Sequence, residues 1–375
     1  MVERKQITLV YQYNDNWIGG AYYILNIIKA LLTLSDTLKP CINVVYNEAS
    51  SLRTIKEVKY PYINFIYCDL HYNFIQKFSI KFLGKYIFKK KINYDEINNL
   101  YPIHPIINLH NVNSGLHWIP DFQERYLPHF FSKKEIKQRE NLYSNIVNTK
   151  YPIVFSSENA KNDFEKFYPN HKNKKYVLKF VSVLDSSYKN LQIADLLKQY
   201  NVTKPYFIVP NQFWKHKNHQ VILNAILLMK NENFSFQVVF TGKEKDYRNP
   251  EYVNDLKKFV LDNQIEDKVR FLGFIDRDHQ LQLMKNSLSI IQPSLFEGWS
   301  TVVEDCKALN HFIVVSDIPL HREQVSNNCL FFDPIDADDL SGKMKYLLNK
   351  NLKIVKISYD ELIIKFVKNF LSLME

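Results

Sequence analysis

The sequence predicts an α/β protein made of two successive doubly wound domains, and three observations carry this. Short apolar runs alternate with helix-length amphipathic segments. The alternation occurs twice, over residues 7–183 and again over 206–348. A polar stretch, 184–204, separates the two series. Strands alternating with helices pair in parallel and are covered by those helices. At 375 residues the chain is also long for one core. The expected division is 1–190, 191–355, and a last helical segment, 356–375, returning to the first domain. Ligands of such folds sit outside the carboxyl ends of the strands, so a cleft between the domains is the expected site.

The first series opens with an apolar run over 7–13. The turn N-D-N-W-I-G-G, ending in Gly19 and Gly20, follows, and then a helical pattern over 21–34. Further strands are expected at 41–46, 62–67, 105–110, 153–155 and 177–183, and Ser157 is placed to cap a helix. The second series has strands at 206–209, 236–240, 269–274, 288–291, 312–315 and 330–332. Helices are expected over 220–229, 250–261, 277–286, 301–309 and 337–348, with a last one over 359–374. No internal repeat or low-complexity linker interrupts the series.

A hydrophobic content of 46% and a charged content of 23% suit a globular chain. The net charge of +10 favours an anionic partner, whether nucleotide, nucleic acid or acidic membrane surface. Cys41, Cys68, Cys306 and Cys329 are scattered without metal-ligand spacing, so free thiols in a reducing compartment are expected. The N-terminus lacks the apolar run of a signal peptide, and no stretch approaches the ~18 apolar residues of a spanning helix. A cytoplasmic location is therefore expected.

Residues 70–94 stand apart. They contain no acidic residue, and Lys77, Lys81, Lys85, Lys89, Lys90 and Lys91 are interleaved with Phe74, Phe78, Phe82, Tyr86 and Phe88. Two readings remain open: a basic aromatic helix lying on an anionic membrane surface, or a surface helix with its aromatic side in the core.

Residues 292–305, Q-P-S-L-F-E-G-W-S-T-V-V-E-D, lie between an expected strand and an expected helix. A helix start offers unpaired N–H groups and a positive dipole end. Gly298 allows close approach to the backbone, and Glu297, Glu304 and Asp305 can accept hydrogen bonds from hydroxyls. An anion site beside hydroxyl acceptors suits a ligand carrying both phosphate and sugar.

The segment L-G-F-I-D-R-D-H-Q-L-Q-L-M-K-N-S-L-S-I-I-Q-P-S-L-F-E-G-W-S-T-V-V-E-D, residues 272–305, resembles the retaining family-4 glycosyltransferases of the GT-B fold, of bacterial polysaccharide type. That fold is two doubly wound Rossmann-like domains facing across a cleft. The family carries a Glu, seven residues and a second Glu. In register these places fall on Glu297 and Asp305, the latter a shorter acid, with Glu304 adjacent. The resemblance implies that Glu297 contacts the donor sugar and that Asp305, with Glu304 in reserve, contacts the ribose. P-N-Q-F-W-K-H-K-N-H, residues 210–219, is similar to the diphosphate-binding segment. Gln212 stands where relatives have Arg, Lys217 keeps the Lys position, and Lys215 supplies part of the missing charge. Gly19 and Gly20 look like the glycine turn approaching the donor phosphates or acceptor. H-W-I-P-D-F-Q-E-R-Y-L-P-H-F-F, residues 117–131, resembles an acceptor-side loop; it makes Asp121 a candidate active-site acid, with Pro120 in the family's His place, and His117 a weaker candidate as a base. S-D-I-P-L-H-R-E-Q, residues 316–324, resembles the closing segment, where Arg322 and Glu323 would shape the cleft.

The resemblance implies transfer of a sugar from a UDP-, GDP- or dTDP-linked donor to the hydroxyl of a saccharide or lipid-linked saccharide, with retained configuration. Lys217, the helix start Gly298, Trp299, Ser300 and Thr301, and the Gly19–Gly20 turn would stabilise the leaving diphosphate. The pairs Asp276/Asp278 and Asp336/Asp338 precede helices and read as caps, so no cofactor and no metal is expected. Other readings are a sugar-nucleotide epimerase or phosphorylase on a related fold, a donor-binding scaffold without catalysis, and a basic nucleic-acid-binding protein. The last finds no recognition motif, so no nucleic-acid partner is expected.

Overall fold

A computed structural model describes residues 4–12, 18–87, 89–92, 96–350 and 352–375. Tyr13 of the first expected strand, turn residues 14–17, and Phe88 and residues 93–94 of the basic stretch lie outside these. The chain divides into two compact units. The first comprises Met1–Phe122, Phe131–Val183 and Asp360–Glu375; the second comprises Gln123–Phe130 and Leu184–Tyr359.

The strands, in chain order, are β1 (Gln6–Tyr11), β2 (Cys41–Tyr46), β3 (Ile63–Tyr67), β4 (Leu100–Tyr101), β5 (His117–Ile119), β6 (Ile153–Phe155), β7 (Lys175–Val177), β8 (Tyr206–Pro210), β9 (Gln237–Thr241), β10 (Val269–Phe271), β11 (Ser289–Gln292), β12 (Ile313–Ser316) and β13 (Cys329–Phe332). Every described strand pairing is parallel.

In the second unit the strand order is β10-β9-β8-β11-β12-β13. The chain builds outward from β8 to one edge, then crosses back and builds from β11 to the other. The order therefore reverses between β8 and β11, and beyond the carboxyl ends of these two strands is where an open sheet leaves room for a ligand. Side-chain alternation explains the two-sided cover. Phe207, Val209, Val238 and Phe240 pack on one face beneath the helices His219–Leu228 and Tyr252–Asp262. Tyr206, Ile208, Val239 and Ile290 pack on the other, beneath Arg277–Asn286 and Thr301–Ala308.

The first unit has sheets β3-β2-β1-β4 and β5-β6-β7. A parallel bridge from Leu100 to Gly115 links them, supported by Leu116 N–H donating to the Leu100 carbonyl at 2.9 Å. A Cβ on Gly115 would lie 3.0 Å from that same carbonyl oxygen, so a side chain there would fit only if its neighbours gave way by a few tenths of an ångström. The strand expected at 105–110 does not form. Pro105 removes a ladder donor, and Ile107 N–H closes a local turn onto the His104 carbonyl at 3.0 Å. The pairing goes instead to β4 and β5. Likewise the ladder partner of β6 is β7, earlier than the expected 177–183. Ser157 caps Glu158–Phe167 by accepting from Ala160 N–H. In the last helix, Tyr359–Leu373, Phe370 packs edge-on against Tyr101, ring centroids 5.9 Å apart.

Segment 123–130 was expected in the first domain but belongs to the second unit. Its Tyr126 stacks on Phe296 at 5.5 Å.

Candidate functional site

Two segments leave the carboxyl ends of β8 and β11, and both are polar. After β8 come Asn211 and Gln212, then a single 3-10 turn, Lys215–Lys217, and then Asn218 in the left-handed region at φ 56°. Asn218 Nδ2 donates to the carbonyls of Pro293 (3.2 Å) and Pro334 (2.7 Å), which ties this turn to the ends of β11 and β13. After β11 come Pro293 to Trp299, and then Ser300 caps the helix Thr301–Ala308 by accepting from Val303 N–H.

The central contact is an ion pair. Lys217 Nζ lies 2.5 Å from Glu297 Oε1, with side-chain exposures of 18% and 9%. Such burial makes the pair interdependent, because removing either partner strands the other's charge in a poor solvent for it. Gln292 Nε2 donates to the same Glu297 oxygen at 2.8 Å, and Asn211 Nδ2 donates to Gln292 Oε1 at 2.7 Å. A hydrogen-bonded line therefore crosses the switch point from β8 to Glu297. Burial is the largest influence and opposes the Glu297 charge, but Lys217, together with His216 and His321, brings the carboxyl below the ordinary Glu range. Glu297 is thus a pre-aimed carboxylate and Lys217 a cation held at the positive end of the following helix.

Glu304 and Asp305 have separate surroundings. Glu304 Oε1 accepts from Lys307 Nζ (2.8 Å) and Gln324 Nε2 (3.0 Å), and its Oε2 accepts from Tyr359 O–H (2.6 Å). Both oxygens serve the protein, so Glu304 is a structural carboxylate. Asp305 Oδ1 accepts from Arg277 Nη2 at 2.6 Å, and among the described residues its Oδ2 accepts no bond. Gln324 also fixes the cap itself. Its Oε1 accepts from Ser300 N–H at 3.1 Å, and its Nε2 donates to the Ser300 carbonyl at 2.7 Å.

The remaining sequence candidates fall as follows. Gln212 accepts from Trp214 Nε1 at 3.1 Å, and Lys215 is exposed. Gly298, Trp299 and Thr301 are half-buried in the same connection as Glu297. Gly19 and Gly20 are not in a turn between strand and helix: both lie in the first turn of the helix Ile18–Leu32 of the first unit. Asp121, also in the first unit, is paired with Arg139 at 3.5 Å. His117 is a core residue of β5, with Nε2 2.9 Å from Thr149 Oγ1, and burial pushes its pKa down to about 4. Arg322 forms an exposed double hydrogen bond to Asp317, both at 2.6 Å. Asp276 and Asp336 cap their helices, accepting from Asp278 N–H in the first case and from Asp338 and Asp339 N–H in the second.

Two residues escaped sequence reasoning. Gly242 follows β9 at φ 141°, and a Cβ there would lie 2.1 Å from the Asn211 carbonyl oxygen, so only glycine lets these two loops meet. A lone glycine directly after a strand, among only eight in the chain, was the available signal. The second is His321, fully buried in the helix Pro319–Gln324. Its Nδ1 lies 2.8 Å from the Ser316 carbonyl, which can only accept, so Nδ1 carries the proton and Nε2 a lone pair. That Nε2 has no partner among the described residues. Ser316 Oγ in turn donates to the Ser294 carbonyl at 2.6 Å, which ties His321 to the β11 loop. No local pattern in S-D-I-P-L-H-R-E-Q distinguishes this histidine.

The family model for glycosyl transferases group 1 matches residues 195–362. The O-antigen chain mannosyltransferase RfbU of Salmonella typhimurium is 26% identical over 159 residues, which is 42% of this chain and 42% of the relative. The structure of a glycosyltransferase from Rickettsia africae superposes with a TM-score of 0.65 at 17% identity, covering 99% of this chain and 96% of that one. Anabaena HepE, solved in complex with UDP and glucose, gives 0.64 at 13% identity, covering 98% and 94%. The fold is that of GT-B glycosyltransferases, and Lys217, Glu297 and Asp305 all fall within the residues that the glycosyl transferases group 1 model matches.

Proposed function

We propose that the chain transfers a sugar from a nucleotide-sugar donor to a hydroxyl of a saccharide acceptor, with retained anomeric configuration. The observation that carries this reading is the buried Lys217–Glu297 pair at the switch point, within the residues that the group 1 model matches. Glu297 is an acceptor-only carboxylate placed to take hydrogen bonds from donor-sugar hydroxyls. Lys217 has three N–H donors, of which Glu297 engages one; the others serve the diphosphate. As the bond from the anomeric carbon to the diphosphate oxygen breaks, the electron pair leaves with the diphosphate, and the ammonium stabilises the charge that develops. The acceptor oxygen attacks on the same face and its proton passes to a diphosphate oxygen, so no side-chain base is required. Asp305, turned away from the Glu304 cluster, is the carboxylate for the ribose.

The name of the Salmonella relative supports a place in bacterial surface-polysaccharide synthesis. A lipid-linked saccharide at the inner face of the cell membrane is the acceptor we propose. Among the described residues no helix is long and apolar enough to cross a membrane. The epimerase, phosphorylase and nucleic-acid readings gain no support from any residue of the site.

A melting screen against UDP-, GDP- and dTDP-sugars tests donor binding, since a ligand of the folded state raises the melting temperature by mass action. One nucleotide class should stabilise the chain. NMR of the product should then show the donor's anomeric configuration; an inverted product would overturn retention, and no stabilisation by any class would overturn the whole reading.

A further inference from the structure

The basic aromatic stretch folds with its polarity reversed. The helix Phe74–Leu83 buries Gln76 and Ser79, both polar, against the first unit. Phe74, Ile75, Phe78 and Phe82 are exposed by 83%, 56%, 51% and 61%. At 100° per residue these four occupy one arc of about a quarter-turn, and Lys77 and Lys81 border it on one side. The reading in which the aromatic side fills the core is therefore overturned.

The inward face is a firm attachment. Asn73 and Gln76 form a reciprocal capping box, and Ser79 Oγ donates to the Lys85 carbonyl at 2.9 Å. Gly84 ends the helix at φ 63°, and its carbonyl accepts from Asn145 Nδ2 at 2.9 Å. The exposed aromatic arc is thus displayed by a helix anchored on its other side and at both ends. Contiguous exposed apolar surface of this kind marks an interaction site.

We infer that this face docks on an anionic lipid bilayer, with Phe74, Phe78 and Phe82 entering the interface and Lys77, Lys81 and Lys85 meeting lipid phosphates. Charge selects this occupant. Residues 70–94 carry no acidic side chain, so two copies of the chain meeting through this face would set like charges against each other. An amphipathic helix with lysines beside large apolar residues is suited to lie in the plane of such a surface. Lys90 belongs elsewhere: its ammonium is bonded to Asp69 at 2.5 Å. The inference extends the proposed function by naming how the chain would reach a lipid-linked acceptor, but it rests on this helix alone.

The test is flotation of the full chain with phosphatidylcholine vesicles, with and without roughly 30% phosphatidylglycerol, together with sedimentation to read oligomeric state. Wild type should float with the anionic vesicles and not with the neutral ones. Lys77→Glu/Lys81→Glu/Lys85→Glu and Phe74→Ser/Phe78→Ser/Phe82→Ser should each lower partitioning by about tenfold or more. These side chains are exposed, so both variants should keep the wild-type melting temperature and its shift with nucleotide sugar. Equal flotation of wild type and both variants would overturn the proposal. So would absence of wild-type flotation, or a dimer abolished by the Phe variant. Vesicle binding without any nucleotide-sugar shift would overturn the proposed function and leave the docking surface standing; the opposite result would do the reverse.

Discussion

Glu304 and Asp305 are adjacent in sequence, yet one helical step turns them onto different partners. Glu304 holds Lys307, Gln324 and Tyr359 together inside the second unit, so Glu304→Ala removes the acceptor of a half-buried ammonium, a buried amide and a buried phenol. A loss of about 2–4 kcal/mol of stability is expected. Asp305→Ala gives up one charge-assisted bond between a buried carboxylate and a partly exposed arginine, and should cost less, about 1–2 kcal/mol. It should, however, weaken nucleotide-sugar binding by about tenfold or more. Thermal melts paired with donor titration separate the two; weakened binding at unchanged stability for Glu304→Ala would reverse the assignment. The sequence narrowed the ribose carboxylate to these two neighbours but could not choose between them. Glu304's partners Gln324 and Tyr359 are distant in the chain, and only folding reveals them.

The site is assembled from connections between elements, and Gly242 shows how tightly. Alanine there would need φ near 141° and would overlap the Asn211 carbonyl, so the loops after β8 and β9 must separate. Gly242→Ala should cost on the order of 3 kcal/mol and abolish donor binding. A melting curve and donor titration matching wild type would show that the contact is dispensable. Legibility followed the same line between elements and connections. The central strands of the second unit, β8, β9, β11 and β12, were readable because each is a contiguous buried run rich in β-branched and aromatic residues, such as Tyr206–Pro210. The short β4 and β5 were not readable. Their ladder partners, β1 and β6, are distant in the chain, while the 105–110 run, which opens on Pro105, turns back on itself. The basic helix was legible in composition but not in orientation, because periodicity gives a helix two faces without saying which one the fold covers.

At the scale of the whole molecule, neutral buried histidines set an acid limit in both units. Burial pushes His117 and His321 down to about 4 and His219 to about 3. Between about 6.5 and these values the unfolded chain binds protons that the folded chain refuses. The stabilisation is therefore complete above about pH 6.5 and is lost as pH falls toward 4. Each group contributes on the order of 1–2 kcal/mol by pH 5. Glu297 acts later with the same sign: its folded pKa is depressed, so its contribution holds above the ordinary value of 4.5 and drains away below it. Melting temperature should fall steadily from pH 7 to pH 5, and a flat profile over that interval would contradict the neutral-histidine assignment.

Donor recognition at the β8–β11 switch point is tested most directly by calorimetric titration of wild type and Lys217→Ala with the nucleotide sugar that most raises the melting temperature. Removing the ammonium leaves Glu297 without its counter-charge and the diphosphate without its cation. Wild type should bind, and Lys217→Ala should bind at least about tenfold more weakly while remaining folded. Equal affinity in the two proteins would contradict the site.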